Sequence, residues 1–144
     1  MLMQRVEALP PFETGAQLIA RLADIYLPKE RLTVSQWAER FMPRYDPLAL
    51  PYLAEIMDAL GDPETPEVGD MGPAQAGKST VGEAWMGWTI DRAGVPFLMV
   101  QPDRAAAEAF VKLRINTLVR EVPVLRAALL PDSSADNMHL KLFK

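Results

Sequence analysis

The stretch that decides the reading of this chain is Met71–Thr80, "MGPAQAGKST". Gly72, four intervening residues and then Gly77-Lys78-Ser79 complete the G-x-x-x-x-G-K-[ST] phosphate-loop pattern. Each residue type has a physical reason. A β,γ-phosphate is anionic and needs many donors in a small space. Glycines let the backbone turn tightly enough for successive N–H groups to point inward. The helix that follows adds unpaired N–H groups and the positive end of its dipole. On this reading Gly72, Pro73, Ala74, Gln75, Ala76 and Gly77 form the cradle. Lys78 brings a full charge to the β,γ-oxygens, Ser79 offers its hydroxyl to Mg²⁺, and Thr80 reaches the α-phosphate. The plainer alternative is a glycine-rich turn with a stray lysine.

Working outward, periodicity predicts helices on both sides. Leu18, Ile19, Leu22, Ile25 and Tyr26 recur at helical spacing, and Pro28 ends that helix. Residues 1–13, with Pro10 and Pro11, read as a loose arm. Thr33 with Gln36 three residues on is a capping box, and Val34, Trp37 and Phe41 share a face behind it. Pro51 suits the first position of a helix running to Leu60, closed by Gly61. Beyond the loop, Ser79–Ala93 reads as a helix with Val81, Trp85, Trp88 and Thr89 on its packed side, capped by Gly94. Asp103 caps a helix from Arg104 to Arg120, and Pro123 starts a short one through Leu130.

Three segments read as strands: Glu67–Met71, the apolar run Pro96–Gln101 ("PFLMVQ"), and the alternating Met138–Phe143 ("MHLKLF"). Strand alternating with helix predicts an α/β fold, a partial parallel sheet of the P-loop NTPase type preceded by a helical segment. The expected division is a helical lead-in over residues 1–62 and the first part of a P-loop ATPase domain over 63–144, stopping before the acid that would hold Mg²⁺.

Composition narrows the class. The 144 residues are 49% apolar and 24% charged, the profile of a globular domain. There is no cysteine, so disulfides and thiolate metal sites are excluded. No apolar run is long enough to span a membrane, and with Arg5 and Glu7 near the start the chain reads as cytoplasmic. The net charge of −4 argues against a general nucleic-acid binder. It is unevenly placed: residues 61–100 hold two basic and six acidic side chains, residues 101–144 seven basic and five acidic. The basic bias is read as a solvated helix face or as a surface facing DNA.

"LTVSQWAERF", "PYLAEIMDALGDP", "PAQAGKST", "VQPDRAAAEAFVKLRI" and "VPVLRAAL" occur in that order from Leu32 onward. In them the chain resembles the N-terminal part of the large terminase subunit of tailed bacteriophages, the lambda-like branch. The resemblance implies an ATPase that drives viral DNA into a procapsid, with a nuclease further along the full-length protein. It implies ATP and Mg²⁺ as cofactors, and viral DNA, the small terminase subunit and the portal protein as partners, with a homo-oligomeric ring for the full-length protein. It implies that Lys78, Ser79 and Thr80 hold the triphosphate and Mg²⁺, and that Gln75 matches a glutamine of the family's loop. Tyr52 falls where such ATPases stack the adenine, with Tyr45 and Arg44 as weaker candidates; for Tyr52 a core aromatic is the alternative. Two departures stand out. Gly72 takes a place often held by a lysine sensor, and no acid for hydrolysis is legible, Asp132 after "AALLP" being a poor one. No catalytic residue is therefore assigned. Two other functions stay open: an interaction module docking the small subunit or portal through residues 1–60, and an unrelated P-loop NTPase.

Overall fold

In the computed structural model, residues 14–26, 29–130 and 141–143 are described. The chain forms two compact units, residues 1–30 and 31–144. The first contributes helix α1, Gly15–Tyr26. The second holds α2 (Val34–Phe41), α3 (Leu53–Gly61), α4 (Lys78–Trp88) and a π-helical turn at Thr89–Ala93. It continues through α5 (Arg104–Phe110), a second π turn (Val111–Ile115), α6 (Asn116–Glu121) and α7 (Pro123–Ala128).

The local signals explain these boundaries. Thr33 Oγ1 accepts from Gln36 N at 3.3 Å, and Gln36 Oε1 accepts from Thr33 N at 3.0 Å, so the capping box closes as its sequence requires. Gly94 ends the π turn after α4 with φ 62°, and its N–H donates to Thr89 O. Asp103 caps α5 by accepting from Ala106 N at 2.8 Å.

The core lies where α2, α3 and α4 meet. Trp37 is fully buried, with Val34 and Ala38 on the same face of α2 and Leu53 and Met57 on that of α3. Gly87 of α4 lies under the Trp37 ring, and a Cβ there would overlap it. The close approach of α2 and α4 thus depends on a glycine at that position. Two indoles make polar ties at the edge: Trp37 Nε1 donates to Asp91 Oδ2 at 2.9 Å, and Trp88 Nε1 to Leu32 O at 2.7 Å. Ser35 N donates to Asp58 Oδ1 at 2.9 Å, fastening the start of α2 to α3. Ile115, Leu118, Val119, Val122 and Leu125 complete the same cluster from α6 and its flanks.

The parallel sheet expected from the sequence is not formed: the described residues contain no strand, and the fold is helical. Glu67–Met71 and Pro96–Gln101 have no regular structure. The reason is that a strand exists only as one side of a hydrogen-bonded ladder, which an apolar run cannot supply by itself. Pro96–Gln101 is not buried on both faces either. Phe97 is half-buried against Trp85, ring edge to face at 5.0 Å, whereas Leu98 is 86% and Val100 79% exposed. Of "MHLKLF", Met138–Leu140 lie outside the described residues, as do Asp132, His139 and the arm of residues 1–13. Phe143 makes one isolated antiparallel bridge with Leu129, and Leu130 N donates to Leu142 O at 3.0 Å.

Candidate functional site

The loop Gly72–Gly77 leads directly into α4. Gly77, its N-cap, has φ 82° and no side-chain hydrogen bond to the first turn. The N–H groups of that turn are therefore left to an external acceptor, at the positive end of the helix dipole. Gln75 also has positive φ, 63°, an uncommon backbone for a residue with a Cβ. Left-handed residues alternating with right-handed ones turn successive N–H groups toward one concavity, the geometry of an anion nest. Gly72–Gln75 are exposed, so the concavity opens to solvent.

Lys78 folds across this loop. Its Nζ donates to Gly72 O at 2.8 Å and to Pro73 O. The ammonium is thereby held over the loop rather than released into solvent. Ser79, next on the helix, is exposed, and Thr80 is half-buried.

Tyr52, the N-cap of α3, and Leu53, its first residue, touch the loop. Tyr52 Oη donates to Ala76 O at 3.4 Å while the side chain stays 54% exposed. Tyr52 is thus neither a core aromatic nor remote from the loop. Leu53, buried, packs on Gly77: a Cβ there would stand 2.6 Å from Leu53 Cδ1. Nothing in the sequence spacing singled out Leu53 as a loop support.

The weaker candidates separate. Tyr45 is buried, and its hydroxyl has no hydrogen-bond partner among the described residues, so its ring offers no stacking face to a ligand. Arg44 is joined to Glu121 at 2.8 Å. Glu83, one turn into α4, is only 4% exposed. Among the described residues its Oε1 accepts no hydrogen bond, and Arg114 Nη1 lies 3.4 Å away. Burial pushes the Glu83 carboxyl above the usual carboxylate range; Arg114 and Arg44 pull it back, and Glu121 pushes it up again. Among the described residues no group of three His, Asp or Glu side chains converges as a metal site. An apolar cleft of ≈ 580 Å³ between Met86, Phe97 and Phe110 includes no residue of the loop in its lining. Among the described residues no helix is long and apolar enough to cross a membrane.

The comparisons with known proteins bear on the same segment. The family model described as phage terminase large subunit gpA, ATPase domain, matches residues 41–144. No curated protein and no solved structure matches the chain.

Proposed function

This chain belongs to the ATPase-domain family of phage terminase large subunits, and from that premise we propose that Gly72–Thr80 binds the triphosphate of ATP with Mg²⁺. The observation that carries the reading is Lys78 Nζ, held over a loop whose Gln75 and Gly77 take left-handed backbone at the start of α4. Backbone N–H groups and the helix dipole take the phosphate charge, and Lys78 neutralises the β,γ-oxygens. Mg²⁺ prefers oxygen ligands and keeps several waters, so the exposed Ser79 hydroxyl beside phosphate oxygens suits it. The ion would neutralise charge developing on the phosphates. Tyr52, exposed and tied to Ala76, offers a ring face to the adenine.

The segment would power movement of viral DNA into a procapsid, working with the small terminase subunit and the portal. The test is thermal unfolding of the chain with Mg-ATP, Mg-ADP and adenosine. A ligand that binds only the folded state raises the midpoint by mass action. Stabilisation by both nucleotides and not by adenosine supports a triphosphate cradle. Equal response to adenosine, or none to any of them, contradicts it.

A further inference from the structure

The helical run α5–π turn–α6 exposes more basic than acidic side chains. From Arg104 to Glu121 the charged residues are Arg104, Glu108, Lys112, Arg114, Arg120 and Glu121. All four basic ones are exposed. Neither carboxylate is: Glu108 and Glu121 are half-buried, bound at 2.8 Å to Arg104 and Arg44. Arg114 reaches inward to Glu83. Lys112 and Arg120 make no ion pair with a described carboxylate, and fourfold spacing puts them with exposed Asn116 along one flank. Arg126 on α7 adds an exposed cation beyond the break at Val122. The buried residues Ile115, Leu118 and Val119 mark the inward side of the run, which the flank borders.

This is unusual in a chain of net charge −4. An ordinary solvated helix intersperses both signs; here the two acids are each taken up by a surface arginine, Arg104 and Arg44, which leaves Lys112 and Arg120 as the cations of the run without a described carboxylate partner. Lys112 to Arg120 spans roughly 12 Å at 1.5 Å per residue, the length of about three to four base pairs of duplex. Lysine and arginine without buried anchoring suit sequence-independent contact with phosphates, and Asn116 adds a side-chain donor of the kind that binds phosphate oxygens.

We propose that the exposed flank carrying Lys112, Asn116 and Arg120 is a surface for the phosphate backbone of duplex DNA. It lies on a helix tied to α4 through the Glu83–Arg114 pair, so the DNA-facing flank and the phosphate loop belong to the same packed unit. The proposal rests on the reading of the chain as part of a DNA-packaging ATPase. It names which face meets the duplex.

The test uses the full chain and a fluorescent duplex of arbitrary sequence, with binding followed by anisotropy over a range of salt concentrations. Each neutralised phosphate contributes about −0.9 to the slope of log affinity against log salt. Lys112→Gln and Arg120→Gln should each flatten the slope by about one, and the pair by about two. Arg31→Gln, an exposed cation outside this flank, should leave it unchanged. All variants should keep the wild-type melting midpoint and its response to Mg-ATP. No binding to DNA at low salt, unchanged slopes in the two variants, or an equal effect of Arg31→Gln would overturn the proposal. Competition by poly-glutamate as effective as that by unlabelled duplex would also overturn it, in favour of an acidic protein partner. Loss of the Mg-ATP response with the DNA slopes as predicted would instead count against the nucleotide reading alone.

Discussion

Leu53 of α3 fills the space into which a side chain on Gly77 would grow: the Cδ1 atom lies 2.6 Å from the position of a Cβ on Gly77. Gly77 is held in place by two independent constraints, that contact and a φ of 82°. Gly77→Ala should therefore weaken nucleotide binding sharply. Leu53→Ala alone opens a core position and should lower stability by about 2–5 kcal/mol. Trimming Leu53 in the Gly77→Ala background removes the clash and leaves the backbone strain, about 1–3 kcal/mol for a left-handed non-glycine. The double variant should recover part, not all, of the lost affinity. Full recovery would show that φ at position 77 does not matter.

Tyr52 touches the loop through its hydroxyl and exposes its ring, and the two parts can be tested apart. Tyr52→Phe removes one bond to Ala76 O and should change affinity for Mg-ATP little, by about threefold or less for a long, exposed hydrogen bond. Tyr52→Ala also removes the stacking face, worth about 0.5–1.5 kcal/mol, or roughly twofold to tenfold in affinity. Titrations of both variants with Mg-ATP and with inorganic triphosphate distinguish the roles. Only the nucleotide should respond to the missing ring.

Trp37 is the side chain on which α2, α3 and α4 converge. Trp37→Ala should cost about 3–5 kcal/mol in denaturant unfolding. Gly87→Ala, which pushes a methyl group into the ring, should cost about 1–3 kcal/mol. The loss of both in one chain should be less than the sum, because the alanine at 87 fits the space the indole leaves.

Glu83 makes stability depend on pH with a sign opposite to that of an ordinary salt-bridged acid. Burial raises its carboxyl pKa in the folded chain, against the pull of Arg114 and Arg44 and with the push of Glu121. The folded state then holds the proton more tightly than the unfolded state. Its contribution is fully present below the usual glutamate range and is lost as pH rises through the raised folded value. The difference in unfolding free energy between Glu83→Gln and wild type should grow from about pH 4 to pH 7 in favour of the variant. A difference that is flat with pH, or that falls, would show that Arg114 dominates the carboxylate's surroundings.

The helices were legible because their signals are local. Thr33 with Gln36, Pro123, and Gly94 each act within a turn of the chain, and each sits where the structure needs it. Glu67–Met71 and Pro96–Gln101 are not strands, because pairing is not local. Pro96–Gln101 has the composition of a buried strand, yet with no neighbouring ladder only alternate residues of the run are covered. Of the candidate site, the glycine-lysine spacing is legible in the sequence itself, whereas Tyr52 enters only through the family resemblance. Leu53 and Glu83 could not: what each touches is decided by how α3, α4 and α6 pack, and that is encoded across the whole unit.

Calorimetric titration with Mg-ATP, of the wild-type chain beside Lys78→Ala, addresses the central claim most directly. Lys78 is exposed and, among the described residues, its ammonium bonds to the loop carbonyls of Gly72 and Pro73, so the alanine variant should fold and melt as the wild type does. The account predicts saturable binding by the wild type that Lys78→Ala loses. Equal affinity in the two proteins, or no binding by a folded wild-type chain, would contradict it.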